Sequence, residues 1–303
     1  MDKPSSLWHK FAKNPVIRPH AETWNRDGTM TADILKMGET FFFYYVGKGE
    51  GKDYIGVTTV EAASFDGFTW NEYQENPVLF PGPPGSFDSR MLVDPASVVI
   101  DGEVRLYYSA LGDGPDMIGM AVSKDGKRFM KYPKPVLKGR APEVVLHNSL
   151  LNLFYVDDSP GGGYEIHIAT SRDGITFKRE GPVFRPSVSG WDSFSVTTPR
   201  IYLDQGIYIL TYAGDDKVKD FPWRFGHAFS RDLRQWVRYP KNPVLERGAA
   251  DEWDSKAIWF GEVLRYGGNY YMWYEGTNGQ LPQIGMAVCE ESLVTIGAML
   301  INK

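Results

Sequence analysis

The feature that most constrains this chain is a Pro-Val pair that returns along its whole length. It stands at Asn14-Pro15-Val16, Asn76-Pro77-Val78, Lys134-Pro135-Val136, Gly181-Pro182-Val183 and Asn242-Pro243-Val244. The prolines lie 62, 58, 47 and 61 residues apart. A repeat of this length marks a unit that buries its apolar faces against its neighbours, and the spacing predicts five units.

Each unit has the same grammar. An aromatic-Asp-Ser step follows the Pro-Val pair in three of them, at Phe87-Asp88-Ser89, Trp191-Asp192-Ser193 and Trp253-Asp254-Ser255. A first apolar strand comes next, then an aromatic one such as Phe42-Phe43-Tyr44-Tyr45 or Tyr270-Tyr271-Met272-Trp273-Tyr274, then a third of the type Ile118-Gly119-Met120-Ala121-Val122-Ser123. A Ser-x-Asp-Gly turn, as in Ser64-Phe65-Asp66-Gly67, leads to a closing aromatic strand. Asp-Gly accommodates the positive φ of a tight turn between strands. Four antiparallel strands per unit predict an all-β, five-bladed β-propeller, read as a single domain over residues 1–303. No amphipathic helical stretch competes with this. The last unit lacks its own fourth strand. Leu7-Trp8-His9-Lys10-Phe11 precedes Asn14-Pro15-Val16 as Trp236 precedes Asn242-Pro243-Val244, so the N-terminal segment is expected to complete the last blade and cover its edge.

A net charge of −5 argues against nucleic acid or an anionic membrane as the main partner. Cys289 is the only cysteine, and the five histidines show no ligand spacing, so no metal or other cofactor is expected. No apolar run approaches the roughly 18 residues of a membrane span, and residues 1–10 have no signal-peptide core. The expected location is cytoplasmic, or outside the cell if a leader has been removed.

In a propeller the first strand of each blade lines the axis. Aligned on Tyr45, Tyr108, Tyr155, Tyr212 and Tyr274, the position twelve residues earlier holds Asp33, Ala96, Glu143, Arg200 and Glu262. Two residues before that stand Thr31, Asp94, Ala141, Thr198 and Phe260. Strict alternation sends both sets to one face, giving a charged ring beneath a mixed rim. Crowded carboxylates drive their pKa values apart and supply an acid and a base together. The plainer reading is a set of structural ion pairs, such as Arg200 with Glu143 or Glu262.

The chain resembles the five-bladed glycoside hydrolase superfamily of arabinanases, β-xylosidases, fructosidases and β-mannoside phosphorylases. The strongest local likeness is Asp94-Pro95-Ala96-Ser97-Val98-Val99-Ile100-Asp101-Gly102, which is similar to the second-blade Asp-Pro strand of family 43. Thr198-Pro199-Arg200 is similar to the Asp-Pro-Arg segment of the mannoside phosphorylases, with Thr in place of Asp. The family 43 resemblance implies Asp33 as base, Glu143 as acid and Asp94 as modulator. The enzyme would be an inverting, exo-acting hydrolase of arabinofuranosyl, xylosyl or related furanosyl glycosides. The alternatives are an enzyme like the β-mannoside phosphorylases, with Asp94 as the acid, and a non-catalytic carbohydrate-binding propeller. Expected substrate contacts are Arg200, Glu262, Trp259, Phe260 and Trp223, because sugar faces stack on rings and sugar hydroxyls seek charged groups. The expected partner is a small oligosaccharide or glycoside.

Overall fold

The computed structural model describes residues 6–302. It is all-β, with several antiparallel sheets in a propeller-like arrangement. A short strand, β1 (His9–Lys10), comes first. Then β2 (Gly28–Met37), β3 (Thr40–Gly49), β4 (Lys52–Glu61) and β5 (Asn71–Glu72) pair in succession. The same meander recurs in β6 (Met91–Ile100), β7 (Glu103–Leu111), β8 (Met117–Ser123) and β9 (Met130–Lys131), with β10 (Leu137–Lys138) also paired to β8. It recurs again in β11 (Arg140–His147), β12 (Leu150–Asp158), β13 (Tyr164–Ser171) and β14 (Lys178–Phe184). Next come β15 (Ser195–Asp204), β16 (Ile207–Asp215), β17 (Arg224–Ser230) and β18 (Val237–Arg238), with β19 (Leu245–Glu246) on β17. Finally β20 (Ala257–Tyr266), β21 (Asn269–Thr277) and β22 (Gln283–Cys289) pair in order. The free edge of β22 is taken by β1, His9 opposite Val288 and Lys10 opposite Ala287.

The repeated residues have repeated tasks. Asn14, Asn76 and Asn242 each use both side-chain amide atoms on the backbone of a third strand, at Met286, Val57 and His227. Trp24, Trp191 and Trp253 pack on Tyr45, Tyr212 and Tyr274 with ring centroids 5.4–5.6 Å apart. The Asp of the aromatic-Asp-Ser step accepts the Tyr hydroxyl and pairs with a cation of a fourth strand: Asp88 with Tyr108 and Lys131, Asp192 with Tyr212 and Arg238, Asp254 with Tyr274 and Lys10. Lys10 thus stands for the last meander where Lys131 and Arg238 stand for theirs. Trp8 adds a 2.8 Å hydrogen bond from its indole to the buried His227. In the Ser-x-Asp turns, Asp66, Asp125, Asp173 and Asp232 each take two backbone N–H groups on one oxygen.

One element departs from expectation. Residues Leu293–Ile301 form a helix, α1, capped by Ser292, whose side chain accepts from Thr295 N. Its sequence is apolar along its length, with β-branched residues and a glycine, so it shows no helical amphipathic pattern. Packing overrides this: Gly297 lies close against Phe229 and Ile207, where a side chain would collide.

Deletion of residues 1–12 strips β1 from β22, unpairs Asp254 and leaves His227 buried without its donor. Thermal unfolding should move down by many degrees. The single change Trp8→Phe keeps the packing and loses one hydrogen bond to a buried group, about 1–3 kcal/mol. A truncated chain that melts like the full one would overturn the closing role of β1.

Candidate active site

The inner strands β2, β6, β11, β15 and β20 share an irregularity that the alternation argument did not include. Each slips in register against its partner, between Met30 and Ala32, Val93 and Ala96, Arg140 and Glu143, Thr197 and Arg200, and Trp259 and Glu262. At each slip one non-glycine residue adopts positive φ: Thr31 (38°), Asp94 (57°), Ala141 (50°), Thr198 (48°) and Phe260 (51°). These are β-bulges, which break pairing and re-aim side chains. A non-glycine residue held at positive φ is strained, of order 1–3 kcal/mol, and such residues cluster where function needs them.

The bulges divide the two expected layers. All five bulge residues line a cavity of about 250 Å³, together with Lys48, Asp53, Asp116, Arg140, Asp220, Trp259 and Glu275 among others. Asp33, Glu143, Arg200 and Glu262 do not line it. They lie beneath it, and Phe260 marks the boundary, its ring 4.6 Å from the Arg200 guanidinium. The expectation that alternation would open the charged ring to the funnel is therefore corrected: the bulge intervenes, and the funnel stops one layer higher.

The buried ring centres on Arg200, which is 1% exposed. Its guanidinium donates to the carbonyls of Ala32 (3.3 Å), Pro95 (2.9 Å), Pro142 (3.0 Å) and Pro199 (3.2 Å). It also pairs with Glu262 (3.1 Å) and Glu143 (3.5 Å). Glu143 accepts Ile201 N, and Asp33 accepts the backbone N–H and the hydroxyl of Ser97. Oxygens of Asp33, Glu143 and Glu262 lie within 4.8 Å of one another, the spacing of a metal site, but the guanidinium already supplies the cation there. One positive charge cannot balance three carboxylates. Burial pushes Glu143 up to about 8, Asp33 to about 6 and Glu262 well above the usual range, against the opposing pull of Arg200.

The cavity wall is built differently. Asp94 is held by Ser109, whose hydroxyl donates to Oδ2 at 2.6 Å and accepts Ala141 N at 2.7 Å. Burial raises the Asp94 pKa. Glu275, also raised by burial, to about 8, accepts both the N–H and the hydroxyl of the bulged Thr31 at 3.1 Å. Arg140 donates to the Tyr164 hydroxyl at 2.7 Å and lies 3.6 Å from Asp220. Asp220 in turn accepts the Trp259 indole N–H at 2.8 Å. Of the expected substrate contacts, Trp259 and Phe260 line the cavity and Arg200 and Glu262 lie under it. Trp223 is absent from the cavity lining and stacks under Arg247 at 3.8 Å. Lys48, Asp53, Ser109 and Glu275 were not anticipated because the alignment followed only inner strands; Arg140 stands on one but ahead of the aligned positions, and Asp220 lies in a loop. A signal existed for two: the position after each anchoring Tyr reads Val46, Ser109, Val156, Ala213 and Glu275, with two polar outliers.

The pKa of Glu143 is raised from an ordinary 4.5 to about 8, so the folded chain holds a proton that the unfolded chain releases. Its contribution is full below about 4.5 and is lost as pH rises through about 8. The melting temperature should fall across that window. Glu143→Gln should flatten the fall, and equal slopes in calorimetric scans of both proteins would contradict this account.

Comparison with known proteins gives a consistent direction. Residues 141–300 match the family model of glycoside hydrolase family 130, described as beta-1,4-mannooligosaccharide phosphorylase. An uncharacterized protein of Mycobacterium tuberculosis is 26% identical over 310 residues, covering 93% of this chain and 99% of that one. A 1,2-beta-oligomannan phosphorylase of a Thermoanaerobacter species is 26% identical over 207 residues, 62% of this chain and 64% of the relative. The beta-1,2-mannobiose phosphorylase of Listeria innocua superposes with a TM-score of 0.73 at 14% identity, over 98% of this chain and 99% of that one.

Proposed function

The chain belongs to glycoside hydrolase family 130, and from that premise we propose that it cleaves β-mannosidic bonds in the cavity beside Asp94. The family and the mannan-directed relatives overturn the expectation of a family 43-like, pentose-cleaving hydrolase. They favour the mannoside-type alternative. The observation that carries the assignment of roles is the setting of Asp94. It is a buried carboxyl on the cavity wall, fixed by Ser109 at a strained bulge, with its pKa raised by burial. Burial favours the protonated form of such a group, the form that can give a proton to a departing glycosidic oxygen. Glu275, fixed by Thr31, and Arg140, fixed by Tyr164 and Asp220, would bind sugar hydroxyls, and Trp259 would stack on a sugar face. Asp33, Glu143, Arg200 and Glu262 then serve as the base on which the cavity floor rests.

The proposal includes a single domain of five blades. Its support is that Arg200, on one inner strand, reaches backbone carbonyls on β2, β6 and β11 and the carboxylate of Glu262 on β20. Strands from every meander must converge near one axis for that to happen. The 1,2-linkage is the first candidate because the Thermoanaerobacter relative acts on 1,2-β-oligomannan by name.

The acceptor can be water or phosphate. The cavity lining offers two cations, Lys48 and Arg140, against five carboxyls, Asp53, Asp94, Asp116, Asp220 and Glu275. Burial raises Asp94 and Glu275 toward their neutral forms, but Arg140 is already paired with Asp220, so a phosphate dianion would find few free cations, which favours water.

Incubation with β-1,2- and β-1,4-mannobiose, with and without inorganic phosphate, tests both points. Mannose is the expected product in both conditions, and mannose 1-phosphate formed only with phosphate would reverse the choice of acceptor. Asp94→Asn should lower kcat by about 10²–10⁴-fold with an unchanged melting temperature. Glu143→Gln should keep most activity where it remains folded. The opposite pattern, a dead Glu143→Gln and an active Asp94→Asn, would end the assignment of Asp94 as acid.

A further inference from the structure

The carboxylates around the cavity are not equivalent. Asp94 is engaged by Ser109, Glu275 by Thr31, and Asp220 by Trp259 and Arg140. Asp53 is more deeply buried, 1% exposed against 8% for Asp94 and Glu275, yet neither of its oxygens has a hydrogen-bond partner among the described residues. It lines the cavity. Buried carboxylates without partners are rare in folded proteins, because desolvation of the charge must be offset by donors.

The backbone of Asp53 is held from two sides. In the β3–β4 hairpin it stands opposite Lys48, and its parallel pair with Met91 is the bridge between β4 and β6. Lys48 lines the same cavity. The hairpin therefore presents an acceptor carboxylate and a donor ammonium side by side from a rigid two-sided support. A carboxylate accepts two hydrogen bonds in its plane, which suits two adjacent hydroxyls. A hard cation would need six or more oxygens, and the ammonium on the same wall repels it.

We propose that Asp53 is a specificity-determining residue that binds two adjacent hydroxyls of the sugar held in the cavity, with Lys48 donating to one of those oxygens. This rests on the cavity being the sugar site, as inferred above. It also explains why a charge is kept where the chain itself gives it nothing to bind.

Two measurements test it. In the first, β-mannobiose cleavage by Asp53→Asn and Asp53→Ala should show KM raised by about 10- to 100-fold, the range for a lost charged hydrogen bond, with kcat changed far less. Against mannobioses singly deoxygenated around the ring, the unmodified enzyme should lose affinity at two neighbouring positions, and Asp53→Ala should lose that preference. Asp53→Asn should also melt higher than the parent, since a buried unpaired charge is gone and shape is kept. A lower melting temperature with unchanged KM would mean a structural role and overturn the proposal. The second measurement is calorimetric binding of mannose, glucose, galactose and both mannobioses. Asp53-dependent binding without cleavage of any mannoside would uphold this inference and sink the mannosidase reading instead. Binding that is absent, or indifferent to Asp53, would sink this inference whatever the enzyme cleaves.

Discussion

The architecture depends on one buried guanidinium. Arg200 gathers four backbone carbonyls, two carboxylates and the face of Phe260 at the point where the inner strands meet. Four of the five bulges turn the next carbonyl, that of Ala32, Pro95, Pro142 or Pro199, toward that point, and carbonyls aimed at one another repel unless a donor stands between them. Arginine alone has enough fixed donors to satisfy several directions at once. Breaking a buried pair of this kind costs about 3–5 kcal/mol, a large part of the 5–15 kcal/mol that holds a typical domain together. On the proposed reading, the ring that looks catalytic in the sequence supports the floor above it.

The floor and wall are where strain is spent. Five non-glycine residues at positive φ recur at one structural position, and every one faces the cavity. A bulge displaces a side chain by one place without changing strand direction. The same inner strands can therefore carry a structural layer and a reactive layer with different chemistry. Asp94 and Glu275 illustrate the economy of this: one is itself a bulged residue, and the other is anchored by the bulged Thr31 of the neighbouring inner strand.

Much of this was legible in the sequence, and the failures have physical causes. The Pro-Val period, the Tyr anchors and the Asp turns located the strands, and the N-terminal strand could be placed by its likeness to Trp236 and its surroundings. The recurrence of Trp191 and Trp253 in aromatic-Asp-Ser steps matches their shared task of packing on Tyr212 and Tyr274. The depth of the funnel did not follow, because a bulge leaves no mark in a pattern of period two: Ala32-Asp33 and Ala141-Pro142-Glu143 read as unbroken strand. Helix α1 escaped for a related reason, since Gly297 earns its place by contact with Phe229 rather than by propensity. The family 43 likeness rested on Asp94-Pro95, a segment whose bulge and proline serve this ring geometry generally, and so it could not tell one sugar specificity from another. Asp53 was invisible because nothing on its own strand distinguishes it; only burial without a partner does.

The pairing of β1 with β22 sets an order of events. His9 waits for Val288, and Lys10 for Asp254, while every other meander is completed by strands close behind it in the chain. Loop closure over nearly the whole length is slow compared with local hairpins. As the chain leaves the ribosome, β1 is made well before its partners, and Trp8 waits for His227 as Lys10 waits for Asp254. The chain can therefore build its meanders one after another, but the edge of the last one is covered only when β1 docks on β22.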